Sequence, residues 1–196
     1  MMKRIVVING HPAQESFNTA IAESYISSGV ASGAEVRYVA IGQLNFNPNL
    51  QSGYQQRMEL EPDLIKALED IQWSEHQVWI HPVWWLGMPA IMKGFFDKAF
   101  LPGIAFKSNK KGNSEGLLNA KSARIITTAG DLSLKVYEEE YHSSGLIQLK
   151  KGILEYCGVS SVESHFIGPL YELTENDRRK WLDTIAKLAI TDSFQN

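Results

Sequence analysis

A polar segment follows the first apolar run of the chain and carries side chains that can hold an anion. It spans Asn9 to Asn18, NGHPAQESFN, and leads into a stretch with helical periodicity. A turn of small residues entering a helix presents free backbone N–H groups and the positive end of the helix dipole, which together suit a phosphate. Ser16 and Asn18 add hydrogen-bonding side chains, and His11 can donate to an anionic oxygen. Because Ser16 and Asn18 are also ordinary helix caps, the segment alone leaves both interpretations open.

A second segment, Pro82 to Pro89, places two tryptophans side by side at the end of an apolar run. Trp84 and Trp85 are adjacent, so they cannot both enter one face of a core. A flat apolar ring system, such as the isoalloxazine of a flavin, is a natural partner for the surface that remains. Gly87 permits close backbone approach. A subunit interface or local packing is the alternative use of these tryptophans.

A third segment, Thr127 to Asp131, follows a β-branched run and reads TTAGD. It offers two hydroxyls and two candidate backbone donors. Taken alone, it is an ordinary turn of small residues.

The elements that must position these segments alternate between strand and helix patterns. The predicted strands are residues 5–8, 35–41, 77–83, 123–128 and 162–167. The predicted helices begin near Ser16 or Asn18, Pro62, Pro89, Gly145 and Thr174, while residues 42–56 and 107–116 read as polar loops. Connections long enough to hold a helix imply parallel pairing by right-handed crossovers.

This alternation predicts one α/β domain over residues 1–196 with a flavodoxin-like fold: a five-stranded parallel sheet in the order 2-1-3-4-5, with helices on both faces. In such sheets ligands bind beyond the carboxyl ends of the strands, at the point where strand order reverses. The three segments all follow strands, so they are expected to meet at that edge.

Composition excludes several other classes of protein. The 196 residues carry a formal net charge of −3, so there is no basic surface for nucleic acid. No run approaches the roughly 20 apolar residues of a membrane span, and IVVI near the amino terminus is too short for a signal peptide. A single cysteine, Cys157, excludes an intramolecular disulfide and a Cys-rich metal site. The expectation is a cytoplasmic protein with no metal, nucleic-acid partner or membrane insertion.

With these residues laid out, the chain resembles the NAD(P)H:quinone oxidoreductase family, which includes DT-diaphorase, modulator-of-drug-activity proteins and potassium-efflux ancillary oxidoreductases. The similarity spans nearly the whole length. Its most specific part is Pro82 to Phe106, PVWWLGMPAIMKGFFDKAFLPGIAF, which matches the family signature P-x-x-W-x-x-x-P-A-x-x-K-G-x-x-D-x-x-F-x-x-G-x-A-F. The opening His-Pro with Ser-Phe-Asn and the later Thr-Thr also match.

The resemblance implies a flavin within reach of all three segments. By this resemblance its phosphate is held by His11, Ser16, Phe17 and Asn18, its isoalloxazine is lined by Pro82, Val83, Trp84, Trp85 and Leu86, and its pyrimidine edge is approached by Thr127, Thr128 and Gly130. The implied reaction is ping-pong: NAD(P)H gives hydride to flavin N5 and leaves, and a quinone then takes two electrons. Family members are generally homodimers with the acceptor site at the subunit interface, so a homodimer is expected.

The chain also departs from the family. Mammalian relatives have Gly-Gly after Thr-Thr, followed by a Tyr and a His, whereas here Ala129-Gly130 is followed by Tyr137 and His142 at a different spacing. Tyr137 or His142 is a candidate proton donor, with an ordinary surface helix start as the alternative. Residues 107–116 lack the tyrosines that line the relatives' acceptor pocket.

The cofactor and the role are open on the sequence alone. The Phe46-Asn47-Pro48 segment resembles that of FAD-binding members and favours FAD, with its adenosine along residues 45–56; FMN is the alternative. No arginine is placed to bind the 2′-phosphate that distinguishes NADPH from NADH, so the sequence does not choose between the two donors. Alternative roles are a regulatory flavoprotein subunit of a potassium-efflux transporter, contacting it through Trp84-Trp85 or the acidic run 138–140, an azo- or nitroreductase, and an electron carrier that never meets a nicotinamide.

Overall fold

The computed structural model describes residues 2–108, 114–118, 120 and 122–194. Its strands are β1 Arg4–Asn9, β2 Glu35–Ala40, β3 His76–Pro82, β4 Phe106–Ser108, β5 Ser114–Gly116, β6 Ser122–Thr128 and β7 Val162–Ile167. Its α-helices are α1 Phe17–Ala31, α2 Pro62–Trp73, α3 Ala90–Ala99, α4 Leu134–Glu139, α5 Ser144–Ile147 and α6 Glu175–Phe194. A π-helical segment, Gln148–Glu155, continues α5, and short 3₁₀ turns cover Ile41–Gln43 and Leu170–Glu172.

Five strands form the main sheet in the order β2-β1-β3-β6-β7, and every pairing within it is parallel. This is the flavodoxin-like order predicted from the sequence, so the predicted fold is confirmed. Strand order reverses between β1 and β3, and the carboxyl ends of β1, β3 and β6 therefore lie side by side. The three segments singled out from the sequence are brought to one edge by this topology.

Each face of the sheet is covered by its own apolar core. Along β1 the buried side chains alternate: Val6 and Ile8 join the core beneath α2 and α3, while Ile5 and Val7 join the core beneath α1 and α6. All four are fully buried. A strand covered on both faces has no polar side to expose, which is why the run is continuously β-branched.

Two local features were not predicted. The polar segment 107–116 contributes to a small antiparallel hairpin of β4 and β5; its residues 109–113 lie outside the described residues. The helix predicted from Gly145 to Cys157 is a single α-helical turn that continues as a π-helix, and α4, capped by the Ser133 hydroxyl at 3.3 Å from the N–H of Val136, precedes it.

A buried charged cluster anchors α6 to the sheet. Arg124 of β6 makes two 2.7 Å hydrogen bonds to the two carboxylate oxygens of Asp192, and the Tyr25 hydroxyl donates to the same carboxylate at 2.7 Å. Burial raises the pKa of Asp192, but Arg124 and His76, whose Nε2 lies 3.3 Å from the carboxylate, hold that pKa well below its usual range. The carboxylate is fully paired, so α6 is held firmly on its face of the sheet.

Within the described residues, none of the helices combines the length and apolar character needed to cross a bilayer.

Candidate functional site

The loop after β1, residues 10–16 (the β1 loop), is folded around the side chains of Asn9 and His11. The side-chain oxygen of Asn9 accepts from the His11 N–H at 3.0 Å, and the Ala13 N–H donates to His11 Nδ1 at 3.0 Å. When Nδ1 accepts this bond, the ring proton sits on Nε2, which is then a donor; Nδ1 also lies 3.3 Å from the Ala13 carbonyl oxygen, to which it donates in the other tautomer. His11 also meets Trp84 edge-on, with ring centroids 5.7 Å apart.

The amino terminus of α1 forms the next part of the site. Ser16 is the N-cap in extended conformation, and its hydroxyl accepts from the Thr19 N–H at 3.2 Å. Ser16 therefore caps α1, which is one of the two roles that the sequence left open for it. The Thr19 and Ala20 N–H groups also donate to the Ser16 carbonyl, whereas the Phe17 and Asn18 N–H groups have no acceptor among the described residues, so these two keep the capacity to bind an anion.

Asn18 is the most informative residue of this turn. It is 2% exposed, and its side-chain oxygen accepts from the Thr128 hydroxyl at 2.8 Å. Its side-chain nitrogen Nδ2 is buried and has no hydrogen-bond partner among the described residues. A buried amide donor without an acceptor costs roughly 1–3 kcal/mol. A bound group with acceptor oxygens, such as a phosphate, would remove that cost.

The loop after β3, residues 83–89 (the β3 loop), contains a tight turn that displays Trp85. Trp84 and Gly87 exchange backbone hydrogen bonds of 2.9 and 3.0 Å. The two residues between them, Trp85 and Leu86, have φ angles of 51° and 63°, the left-handed region that bulky side chains avoid. The indole of Trp85 is fully exposed, and Trp84 is 45% exposed. The two tryptophans are therefore outside the core, which agrees with the prediction that they could not both enter one face of it.

The last two residues of β6, Thr127 and Thr128, precede the loop of residues 129–133 (the β6 loop), and both threonine hydroxyls bond inside the protein. The Thr128 hydroxyl is committed to Asn18, and the Thr127 hydroxyl lies 3.4 Å from the carbonyl oxygen of His165. The Ala129 N–H donates to the Ile167 carbonyl at 3.0 Å. The Gly130 N–H, like those of residues 131–133, has no acceptor among the described residues. Thr127 and Thr128 thus shape the site from behind, and Gly130 faces outward.

One side wall of the site was missed by the sequence interpretation. The Tyr171 ring lies over Gly130, where an added Cβ would come within 2.8 Å of it, and Tyr171 is 83% exposed. Beside it the Arg178 guanidinium sits 5.2 Å from the centroid of the Phe17 ring and donates to the Leu170 carbonyl at 2.7 Å. The sequence offered little signal for either residue, because Tyr171 lies in the 3₁₀ turn before α6 and Arg178 in the first turn of α6, away from the three segments.

The two candidate proton donors lie in different surroundings. Tyr137 is 1% exposed, and its hydroxyl accepts from the Leu146 N–H at 3.0 Å and points at the Leu86 carbonyl oxygen at 3.5 Å. Burial raises the pKa of the Tyr137 hydroxyl. His142 is exposed, with a left-handed φ of 52° and its backbone N–H on the Glu138 carbonyl. Their role as proton donors stays a prediction.

The remaining predicted residues line the same edge. Pro82 is buried at the end of β3, where His81 Nδ1 contacts its carbonyl oxygen at 2.9 Å. The Val83 N–H donates to the Thr128 carbonyl at 2.7 Å, which ties the β3 loop to β6. Val83 and Leu86 are half-buried. Direct contacts thus join the β1 loop to the β3 loop, the β3 loop to the end of β6, and the end of β6 to the first turn of α1, so these parts form one site.

A model of the flavodoxin-like fold family matches residues 3–188. The chain belongs to this family. An uncharacterised NAD(P)H oxidoreductase of Haemophilus influenzae is 29% identical over 191 residues, covering 93% of this chain and 92% of its relative. The FMN-dependent NADH:quinone oxidoreductase of Macrococcus caseolyticus is 26% identical over 182 residues, covering 83% and 85%. A crystal structure of a Streptococcus mutans protein superposes with a TM-score of 0.82 at 30% identity, covering 95% of this chain and 98% of that one.

Proposed function

We propose that this flavodoxin-like protein is a flavin-dependent NAD(P)H:quinone oxidoreductase. The observation that carries the proposal is the buried Asn18 amide, whose Nδ2 has no partner among the described residues and which lies in the first turn of α1. This donor and the helix terminus suit a phosphate, and the exposed Trp85 in the β3 loop suits a flat ring. A flavin carries both groups at once.

The residues divide the binding between them. Asn18, Ser16 and the first turn of α1 would hold the phosphate, with the His11 Nε2 proton beside it. Trp84, Trp85 and Leu86 would cover the ring, and the Gly130 N–H would donate to its pyrimidine edge, where negative charge develops on reduction. When bound, the flavin supplies the two-electron chemistry between NAD(P)H and the acceptor. The net reaction consumes NAD(P)H, a proton and a quinone and yields NAD(P)⁺ and the hydroquinone.

FMN is the better supported form of the flavin. The Macrococcus relative is FMN-dependent by name. The loop that was expected to take the adenosine of FAD uses its polar groups elsewhere: the Asn45 and Asn47 N–H groups donate to Asp63 and Glu61 at 2.7 and 3.1 Å. Pro48 packs against Gly94 of α3 so closely that a Cβ added to Gly94 would overlap the Pro48 carbonyl oxygen. This loop is therefore anchored on α2 and α3.

A second copy of the chain is the proposed partner. Three large apolar side chains outside the site, Tyr54, Ile147 and Tyr156, are 72%, 48% and 45% exposed. Tyr54 and Tyr156 border one cleft of about 290 Å³ between α3 and the π-helical segment. Apolar surface of this kind is usually covered in an assembly. Light scattering on purified protein should give twice the chain mass, and a monomer at micromolar concentration would contradict a homodimer.

The experiment that tests the function starts with the visible spectrum of the purified protein. A flavin band, release of FMN rather than FAD on denaturation, and anaerobic bleaching by NADH or NADPH are expected. Turnover of menadione should give parallel double-reciprocal lines, as ping-pong kinetics require. Absence of flavin binding would refute the proposal, and bleaching without turnover of any quinone would favour the transporter-subunit role. Faster turnover of azo dyes or nitroaromatics than of quinones would favour that reductase class instead.

A further inference from the structure

The turn that displays Trp85 is held in a conformation its own residues do not favour. Trp85 and Leu86 both have left-handed φ angles, 51° and 63°. Such two-residue turns usually carry Asn-Gly or Gly-Gly, because a left-handed backbone costs other residues roughly 1–2 kcal/mol each. Conformations of this kind persist only where the surrounding structure enforces them. The contacts behind the turn must therefore hold it.

Those contacts come from α4 and α5. The Tyr137 hydroxyl accepts from the Leu146 N–H at 3.0 Å and points its own proton at the Leu86 carbonyl oxygen at 3.5 Å. Gly145 lies against the same carbonyl, so closely that a Cβ on Gly145 would overlap the Leu86 oxygen. The Leu86 peptide is thus enclosed by a hydroxyl on one side and a bare glycine backbone on the other.

Tyr137 is itself firmly placed. Its ring stacks on Phe166 of β7 with centroids 5.3 Å apart and an angle of 26° between planes. Its backbone N–H donates to Ser133 at 3.0 Å, and its carbonyl accepts from Ser143 at 2.9 Å. Because α4 directly follows the β6 loop, Tyr137 connects that loop to the β3 turn.

We propose that Tyr137 is a positioning residue that holds the Trp84–Gly87 turn in its left-handed form through Leu86, and thereby presents Trp85 to the cofactor. The cofactor part of this inference rests on the proposed function. The Tyr137 hydroxyl is occupied at both its oxygen and its proton, and the side chain is 1% exposed. This geometry suits a fixed support and gives a proton no open route to a substrate.

The first test measures FMN affinity in four proteins made by combining Tyr137→Phe with Leu86→Asn. Phenylalanine keeps the ring stack on Phe166 and removes only the hydroxyl. Asparagine tolerates a left-handed backbone far better than leucine, so it relieves the turn's dependence on support. Tyr137→Phe should weaken FMN binding two- to tenfold when Leu86 is present, the range expected for one hydrogen bond. It should have less than a twofold effect in the Leu86→Asn background.

If Tyr137→Phe reduced FMN affinity equally in the Leu86 and Leu86→Asn backgrounds, the proposal would be overturned, since the hydroxyl would then affect binding independently of the turn. Tyr141→Phe removes an exposed hydroxyl just beyond α4 and is the matched control, with unchanged affinity expected. The pH profile of kcat/KM separates a support from a proton donor. Tyr137→Phe should lower the profile uniformly without changing its shape, and loss of one limb of the profile would overturn the proposal.

A second measurement does not need flavin binding. The indole N–H resonance of Trp85 in the flavin-free protein, assigned with Trp85→Phe, reports the turn directly. Tyr137→Phe should shift or broaden it, the added Leu86→Asn should restore it, and Tyr141→Phe should leave it unchanged. If the protein binds no flavin, the proposed function fails while this resonance still decides the role of Tyr137. A resonance unmoved by Tyr137→Phe would refute that role.

Discussion

The hydroxyl of Thr128 donates a 2.8 Å hydrogen bond to the side-chain oxygen of Asn18, which joins the end of β6 to the first turn of α1. The same threonine accepts the Val83 N–H at 2.7 Å through its backbone oxygen. One residue at the end of β6 therefore connects the β3 loop to the first turn of α1. Because the Asn18 side-chain oxygen accepts this bond, the orientation of its amide N–H₂ group is fixed. That group can therefore be satisfied only by a ligand that places an acceptor next to it.

Thr128→Val should weaken flavin binding by about tenfold or more. Valine keeps the shape of threonine but leaves the Asn18 oxygen buried without a donor, at a cost of roughly 1–3 kcal/mol, and frees the amide to flip. Fluorescence titration of the flavin-free protein with FMN measures the affinity. Thr127→Val is the control, since that hydroxyl makes only a 3.4 Å contact to His165. Equal losses in the two variants would show that the Asn18 amide does not orient the ligand.

Trp85→Ala should lower flavin affinity without lowering the stability of the flavin-free protein. The indole is fully exposed, so its removal forfeits no buried contact. Its expected contribution to ring stacking is about 1–3 kcal/mol. Urea unfolding measures the stability of the flavin-free protein, and FMN titration measures the flavin affinity. Tyr54→Ala removes another exposed aromatic side chain, away from the three loops, and should leave FMN binding unchanged; weaker binding in this variant would argue for a different site.

The fold could be predicted because its evidence is local. Continuous β-branched runs such as residues 5–8 mark strands buried on both faces, and connections of helix length force parallel pairing. The meeting of the three loops followed from topology. The adjacency of Trp84 and Trp85 predicted only that they cannot both enter one face of the core.

The conformation of the β3 turn could not be predicted. Nothing in Trp85-Leu86 favours left-handed backbone, and the support comes from Tyr137 and Gly145, about 50 to 60 positions later in the chain. The threonine hydroxyls were expected at the cofactor, yet Thr127 and Thr128 are 3% and 1% exposed and bond inside the protein. Their direction depends on Asn18 and β7, which are long-range contacts. The local sequence carries no signal for such contacts.

Gly145→Ala should destabilise the protein by more than about 2 kcal/mol, because the new methyl overlaps the Leu86 carbonyl and neither backbone can move freely. Gly152→Ala is the matched control in the adjoining π-helical segment, where an added Cβ meets no atom within 4 Å. There alanine should be neutral or stabilising by up to about 1 kcal/mol. Urea unfolding of both variants makes the comparison, and similar stabilities would show that the β3 turn yields easily.

The buried His81 should lower the free energy of unfolding in mild acid. It lies at the end of β3, 1% exposed, and burial lowers its pKa from 6.5 to about 4. Below pH 6.5 the unfolded chain binds a proton at this histidine while the folded protein does not. Stability contributed above pH 6.5 is therefore lost as the pH falls towards 4, by up to about 3 kcal/mol.

His81→Leu removes this histidine's share of the acid sensitivity, so its free energy of unfolding should fall less steeply between pH 7 and pH 4.5 than that of the unaltered protein. His165, whose pKa is also lowered by burial and by Arg124, keeps its own share in both proteins, so the difference between the two slopes isolates His81. Ile80→Val is the control: it opens a small cavity in the core on the opposite face of β3 from His81 and should cost about 1 kcal/mol at every pH. Urea unfolding across this pH range measures the slopes. An unchanged slope in His81→Leu would mean that the folded protein binds a proton at His81 as readily as the unfolded chain, and hence that the packing around the His81 ring opens in mild acid.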